Sequence, residues 1–299
     1  MAFRLKILIT TGFLLLFGAC TENPSTNYAS STLYVFGDSL SDVGNARIAT
    51  SGLFPDKNYY EGRFSNGPNY ADQLADKLAT TQKPFRSFGT NYAFGGARSI
   101  EVNAQVSNYK QNVDGIADPE SLYIVWAGGN DIRQLLLDVE SETTMDEVVS
   151  YIEDAIRKLW NMGARRILVP NQPNIGNTPF IDTLETNFAG ISAAANAMTQ
   201  QFNGTLTSML DRIASDEQII TIRFDAYALL ETIINDPQSY TLTNVSEACY
   251  QRDELALELS GNETICTDGD AYLFWDSLHP NHVVHAQIAE QIYDTINTN

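Results

Sequence analysis

Positively charged residues are scarce in this sequence. Lysine and arginine together number 18, whereas aspartate and glutamate number 37, which gives a formal net charge of −19 over 299 residues. Proteins that bind nucleic acid need a basic face to neutralise phosphates. The composition therefore argues against a nucleic-acid partner, and an acidic surface would instead attract cationic molecules.

Several motifs that would indicate other kinds of chemistry are also missing. The chain contains neither GxGxxG nor GxxxxGK[ST], the glycine-rich motifs that bind phosphate groups. It lacks HExxH, in which two histidines bind zinc, and it lacks GxSxG, the nucleophile elbow of the α/β-hydrolases. We therefore predict no metal site and no cofactor, and a nucleophile, if present, must lie in another motif.

One apolar run stands near the start of the chain. Arg4 and Lys6 precede residues 7–17, which are too few for a membrane span but have the length of the apolar part of an export signal. The small residues before Cys20 resemble a bacterial lipobox, in which the cysteine is lipidated. We predict a signal peptide at 1–19, a lipidated tether at 20–31 and an exported protein anchored to a membrane. The alternative is an ordinary cleaved signal with an incidental cysteine.

Cysteine is rare, with three residues in the whole chain. If Cys20 carries a lipid, Cys249 and Cys266 remain as an even pair in an exported protein. We predict a disulfide between them, and the alternative is two free buried thiols.

Beyond the tether, short apolar runs alternate with stretches of helical periodicity. The predicted strands are 32–36, 85–92, 122–127, 166–170 and 219–224. The predicted helices include 144–160, 187–213 and 283–296. Alternation of this kind is typical of an α/β protein with a parallel sheet covered on both faces. We predict a single three-layer, flavodoxin-like domain over 32–299 with a five-stranded sheet.

The first predicted strand ends on Gly37, Asp38 and Ser39. All three are turn residues, so a plain turn is one interpretation. Ligands of open α/β sheets, however, bind outside the carboxyl ends of the strands, and Ser39 leaves the first strand at that edge. The placement favours a nucleophilic serine.

A nucleophilic serine needs a base and a group that orients the base. The three histidines of the chain all lie within seven residues, and Asp276 stands three residues before the first, His279. That spacing allows the carboxylate to bind one ring nitrogen and leaves the other for Ser39. His282 and His285 are interpreted as structural, because a spacing of three and six spreads the rings around a helix instead of forming a metal site.

Two glycine-containing stretches could donate hydrogen bonds to an oxyanion. The pair Gly95-Gly96 follows the second predicted strand, and Asn130 follows a glycine pair after the third. Each stretch alone is also consistent with an ordinary turn.

Taken together, four blocks resemble the GDSL, or SGNH, esterases and lipases. They are FGDSLSDVGN at 36–45, NYAFGGA at 91–97, GGND at 128–131 and DSLHP at 276–280, in the order of that family. The resemblance implies an SGNH hydrolase fold without a cofactor. It implies that Ser39 is the nucleophile, His279 the base and Asp276 the acid that orients the base. It also implies three oxyanion donors, which are Ser39, Asn130 and Gly96, the last chosen over Gly95. Asp38 would be structural.

The substrate is less closely defined than the reaction. A membrane anchor and an acidic, aromatic-rich chain favour lipid, lysophospholipid or choline esters. The alternatives are a carbohydrate O-acetylesterase and a non-catalytic surface binding protein. The acidic segment 236–270, which carries both late cysteines, is predicted to cap the site.

Overall fold

A four-stranded parallel sheet forms the centre of the computed structural model, which describes residues 32–138, 140–252 and 261–298. The strands lie in chain order: β1 (Leu33–Gly37), β2 (Leu122–Trp126), β3 (Arg166–Pro170) and β4 (Ile222–Phe224). Leu33 of β1 stands opposite Leu122 of β2, and the register continues to the pair of Gly37 and Trp126. The carboxyl ends of β1 and β2 therefore meet at one edge, as predicted.

Helices cover both faces of the sheet. They are α1 (Asn45–Ala49), α2 (Tyr70–Lys77), α3 (Ser99–Asn112), α4 (Gly129–Leu137), α5 (Met145–Met162), α6 (Pro179–Glu185), α7 (Ile191–Glu217), α8 (Ala226–Asn235) and α9 (His282–Thr298). Alternate strand residues belong to two separate apolar cores: Val35 and Ile124 pack with α2, α8 and α9, whereas Phe36 and Val125 pack with α3, α5 and α7. The three-layer α/β/α architecture is thereby confirmed.

Helix α5 shows how directly the sequence pattern produces an element. The hydroxyl of Thr144 accepts a hydrogen bond from the backbone N–H of Glu147 and caps the helix, and Gly163 ends it in the left-handed conformation. Val148 and Ile156 lie on the apolar face, and both are buried. The predicted helix 144–160 is confirmed to within two residues.

The prediction of a fifth strand at 85–92 is wrong. Residues Phe85–Ser87 form a short 3-10 helix, and Asn91 makes a single parallel bridge with Val35. The segment folds back on itself, because Gly89 donates to the carbonyl of Pro84 and Phe85 donates to that of Asn91. Contact with β1 is therefore limited to the end of the segment, where Val35 donates to the carbonyl of Thr90 and Tyr92 donates to that of Val35.

The segment 236–270 forms small additional sheets beside the main one. Strand β5 (Asn244–Ala248) pairs in parallel with β8 (Tyr272–Phe274), and β6 (Tyr250–Gln251) pairs with β7 (Thr264–Ile265) in an antiparallel arrangement. Cys249 and Cys266 form the predicted disulfide, with an S–S distance of 2.01 Å.

The predicted signal peptide, tether and lipidation site at Cys20 lie outside the described residues. Within the residues that are described, no helix is both long and apolar enough to span a membrane.

Candidate active site

Ser39 lies at the edge of the sheet, directly after β1. A Cβ atom at Gly37 would lie 2.1 Å from the backbone oxygen of Trp126 on β2, so only glycine permits this close approach of the two strands. After Ser39 the chain turns sharply, and the carbonyl of Asp38 accepts hydrogen bonds from the N–H groups of Ser41 and Asp42. The turn holds Ser39 at the carboxyl end of β1, where the sequence predicted it.

Asp42 fixes the loop that carries Ser39 to the rest of the site. Its two carboxylate oxygens accept backbone hydrogen bonds from Gly44, Asn45 and Ala46 at 2.6–3.0 Å, and from Gly95 at 2.9 Å. The side chain is fully buried. Asp42 therefore joins the first predicted block to the second, a role that the sequence analysis did not assign.

The structure brings Ser39, His279 and Asp276 together in one chain of contacts. Nε2 of His279 lies 2.7 Å from Oγ of Ser39, and Nδ1 lies 2.8 Å from Oδ2 and 2.9 Å from Oδ1 of Asp276. Because an ionised carboxylate only accepts hydrogen bonds, Nδ1 carries the hydrogen and Nε2 is left to accept one from the serine. This is the geometry of a serine nucleophile with its base and orienting acid.

Asp276 is buried, yet several donors surround it. Its oxygens accept hydrogen bonds from the backbone N–H groups of Leu278 at 2.8 Å and His279 at 2.7 Å, and from the hydroxyl of Tyr59 at 2.7 Å. Burial by itself raises the pKa of Asp276, but the charge of His279 and these hydrogen bonds outweigh it, so the pKa lies below its ordinary value. The carboxylate is thus held in its ionised form.

Tyr59 is a residue that the sequence analysis missed. It is 217 residues away from Asp276 in the chain, and no local motif marks it. It packs edge-to-face on Tyr250, whose hydroxyl donates to Asp56. Tyr250 follows the disulfide residue Cys249. The disulfide-linked segment therefore packs on Tyr59, which in turn donates a hydrogen bond to Asp276.

Asn130 lies in the first turn of α4 and lines the same cavity as Ser39 and His279. One hydrogen of its amide is donated to the carbonyl of Ala97 at 3.0 Å, and its oxygen accepts from Arg133 at 3.2 Å. These bonds fix the orientation of the amide, and the second N–H remains a donor for a ligand. A Cβ atom at Gly128 would lie 2.4 Å from the ring of Phe202, so a glycine is required there for α4 to begin where it does.

The structure does not place Gly96 in the cavity of Ser39. Gly96 lines a neighbouring cavity together with Phe94 and Arg98. The N–H of Gly95 is already donated to Asp42. The choice of Gly96 as an oxyanion donor therefore stays a prediction.

The two other histidines, His282 and His285, make contacts away from the reacting groups. Nε2 of His282 lies 2.9 Å from a carboxylate oxygen of Asp270, outside the cavity. His285 is buried against the ring of Tyr70, and burial lowers its pKa to about 3, so it is neutral. Among residues 32–138, 140–252 and 261–298, no group of three or more histidine, cysteine, aspartate or glutamate side chains is arranged to hold a metal ion.

Asp38 stands beside the nucleophile but makes different contacts. Its carboxylate accepts a hydrogen bond from the N–H of Leu40 at 3.0 Å. Burial raises its pKa to about 6, although the nearby charge of His279 acts in the opposite direction.

The cavity around Ser39, called here the active-site cavity, has a polar mouth and an apolar interior. Asn130, Arg133, Asn174 and Asn177 lie in its more exposed part. Its buried part is lined by Trp126, Ile181, Leu230, Phe274 and Ile288. No described residue of 236–270 lines it, so the described part of that segment does not form the predicted cap.

Comparison with known proteins identifies the family. A family model described as GDSL-like Lipase/Acylhydrolase matches residues 33–292. The chain belongs to this family. The GDSL-like protein is therefore a carboxylic ester hydrolase, which confirms the predicted enzyme class.

Individual relatives agree with this assignment. The GDSL-like chain is 26% identical to phosphatidylcholine-sterol acyltransferase of Aeromonas hydrophila over 312 residues, which cover 88% of this chain and 89% of that protein. It is 27% identical to the GDSL esterase/lipase At5g55050 of Arabidopsis thaliana over 317 residues, which cover 86% and 84% of the two chains.

Solved structures share the fold. The acetylxylan esterase Axe2 of Geobacillus stearothermophilus matches with a TM-score of 0.51 and 15% identity, over 90% of this chain and 94% of that one. LAE5, an α/β hydrolase enzyme from the metagenome of Lake Arreo, matches with a TM-score of 0.52 and 14% identity, over 91% and 97%.

Proposed function

We propose that this protein hydrolyses lipid esters through an acyl-enzyme intermediate on Ser39. The observation that carries the proposal is the hydrogen-bonded chain from Ser39 through His279 to Asp276. Oγ of Ser39 attacks the ester carbonyl while its proton passes to Nε2 of His279. The C–O bond to the alcohol then breaks, and the alcohol leaves with that proton. A water molecule, deprotonated by the same nitrogen, releases the carboxylic acid and restores Ser39.

The charge of the tetrahedral intermediate requires fixed donors. The backbone N–H of Ser39 and the amide N–H of Asn130 are the proposed donors, and Gly96 is the third candidate. Asn130 is well suited, because its bonds to Ala97 and Arg133 fix the amide before substrate binds.

Among esters, the lining of the active-site cavity favours those with a lipid acyl group. Its buried part is mainly apolar, and the charged side chain in its exposed part is the cation of Arg133. A cation at this position suits the phosphate of a lysophospholipid better than the quaternary ammonium of a choline ester. We therefore place lipid and lysophospholipid esters ahead of short choline esters.

A carbohydrate O-acetylesterase is the second candidate, because amide side chains lie at the mouth of the cavity and amides bind sugar hydroxyls. Each of these amides already donates one N–H within the protein, and Gln172 is buried. Asn174 and Asn177 both donate to Glu231, and Gln172 donates to the carbonyl of Ala127. Since the second N–H of each amide remains a donor, the lipid ester is placed ahead of the acetylated sugar because of the mainly apolar buried lining of the cavity.

The test compares the wild type with Ser39→Ala and with a matched control, Ser107→Ala, on the exposed face of α3. Initial rates are measured on p-nitrophenyl acetate, butyrate and palmitate, acetylcholine, lysophosphatidylcholine and acetylated xylan, and covalent labelling by a fluorophosphonate is scored. We expect hydrolysis and labelling to be lost in Ser39→Ala by several orders of magnitude and retained in Ser107→Ala. Equal inertness of all three proteins, without labelling, would instead support a binding protein on a hydrolase fold.

A further inference from the structure

We propose that the inner part of the active-site cavity, between α8 and α9, binds the acyl chain of the substrate and sets the longest chain that the enzyme accepts. Leu230 and Ile234 are one helical turn apart on α8, and Ile288 lines the same cavity from α9. The inference deepens the proposed hydrolysis at Ser39 and rests on it.

The distribution of polar and apolar side chains along the cavity indicates how a substrate is oriented in it. Asn130 and Arg133, next to the reacting groups, are partly exposed, whereas Leu230 and Ile288 are only 8% and 1% exposed. A substrate whose carbonyl lies at Ser39 has two arms. The polar alcohol arm fits the mouth, and the apolar acyl arm fits the buried interior.

The chemistry of the interior is that of a chain-binding site. Five of its buried side chains are hydrocarbon or aromatic: Trp126, Ile181, Leu230, Phe274 and Ile288. The indole N–H of Trp126, the polar group among these side chains, is donated to the carbonyl of Asn171. Gln172 and Thr178 also line the cavity and are only 1% and 8% exposed, but Gln172 donates to the carbonyl of Ala127 and the hydroxyl of Thr178 donates to that of Ile175. The apolar side chains between α8 and α9 can remove methylene groups of a chain from water.

Ile234 is the position at which this proposal can be tested most directly. It lines the cavity but is only partly buried, so a larger side chain there can enter the cavity without replacing a fully buried core residue. Thr232 lies on the same helix with an exposed side chain and provides a matched control.

The experiment measures kcat/KM on p-nitrophenyl esters of two to twelve carbons. For the wild type we expect an increase of about fourfold per methylene, the value of one fully buried CH₂, until the interior is filled. Ile234→Trp should lower kcat/KM on the octanoate at least about tenfold more than on the acetate. Thr232→Trp should match the wild type on both, and Ile234→Ala should extend the accepted length. An equal fall on acetate and octanoate in Ile234→Trp, or no fall on either, would overturn the proposal.

A second measurement separates this proposal from the hydrolase function. Decanoate should raise the Tm of the wild type and of Ser39→Ala, and should not raise that of Ile234→Trp, whereas acetate should raise none of them. A Tm shift in a protein that hydrolyses no ester would support the chain-binding site and refute the hydrolysis. Absence of any shift by decanoate, in a protein that does hydrolyse esters, would refute the chain-binding site.

Discussion

Asp276 and Asp38 are two carboxyl groups that are buried to nearly the same extent, but their pKa values are shifted in opposite directions. They are 1% and 2% exposed, and both interact with the charge of His279. Asp276 accepts hydrogen bonds from two backbone N–H groups, the imidazole and Tyr59, and its pKa is lowered. Asp38 accepts one from Leu40, and burial raises its pKa to about 6.

The difference shows that the charge of His279 and the hydrogen-bond donors around Asp276, not exposure to water, keep the acid of this site ionised. Burial disfavours the ionised form of both groups, and only enough hydrogen bonds and a partner charge reverse the effect. Near pH 5 the two groups therefore differ in charge although they lie in the same part of the protein, and only Asp276 acts as an anion towards the histidine.

The largest expected effect comes from removing His279, whose charge acts to lower the pKa of both aspartates. His279→Gln should lower kcat/KM by at least about 10⁴-fold, because it removes the ring nitrogen that lies 2.7 Å from Oγ of Ser39. His282→Gln is the matched control, since His282 binds Asp270 outside the active-site cavity, and it should stay within a few fold of the wild type. Similar losses in both variants, measured on p-nitrophenyl butyrate, would contradict the assignment of the base.

Replacing each aspartate by asparagine tests the comparison itself. Asp276→Asn should lower kcat by about 10⁴-fold, because an amide facing Nδ1 favours the wrong tautomer of His279. Asp38→Asn keeps the oxygen that accepts from Leu40 and should change kcat by less than about tenfold. If the two variants lost similar activity, Asp38 would have a part in the chemistry that the geometry does not assign to it.

The stability of Asp38→Asn should depend on pH in a defined direction. Below about pH 4 the aspartate is protonated in both the folded and the unfolded state, so it brings no ionic penalty. Between about pH 4 and pH 6 the unfolded state ionises first, so stability falls relative to the asparagine variant as pH rises. The free energy of unfolding of the variant, relative to that of the wild type, should therefore be about 3 kcal/mol higher above pH 6 than below pH 4, because the pKa of Asp38 rises from its ordinary value to about 6 on folding.

Urea unfolding of both proteins from pH 3.5 to 8 measures this difference. A difference that is constant over this range would mean that Asp38 ionises alike in both states and would remove the contrast with Asp276.

The smallest effect is expected at Tyr59, which supports Asp276 from outside the reacting groups. Tyr59→Phe removes one hydrogen bond to a carboxylate and should lower kcat about tenfold with little change in KM. It should also lower stability at pH 7 by about 1.5–3 kcal/mol. Because the folded pKa of Asp276 is depressed, this contribution is complete above about pH 4 and should shrink as the pH falls further.

Tyr60→Phe, at the exposed neighbouring tyrosine, is the control for this variant. A change of KM instead of kcat in Tyr59→Phe would assign Tyr59 to substrate binding.

The parts of the site that the sequence predicted are those that local patterns encode. Ser39 follows a strand directly, and Asp276 reaches His279 within one turn, so type and spacing are sufficient for both. Asp42 could also have been recognised, since an aspartate followed by Gly44 and Asn45 at a helix start is typical of a capped turn.

The remaining features depend on contacts that spacing does not reveal. Tyr59 is separated from Asp276 by 217 residues. The segment 85–92 has strand composition, but Phe88 adopts the left-handed conformation and the backbone closes on itself. The acyl-binding interior is lined by Leu230 and Ile234 of α8 and by Ile288 of α9. Helix α8 was not predicted, and the periodicity of 283–296 predicts a helix without showing which cavity it lines.

The sequence separation of 240 between Ser39 and His279 also affects how the enzyme folds. The entropy of closing a loop grows with its length, and proteins rich in such long-range contacts fold slowly. A refolding chain would regain its helices early, while the nucleophile still lacks its base. Recovery of esterase activity should therefore lag behind recovery of the circular dichroism signal, which makes catalysis a reporter for the final stage of folding.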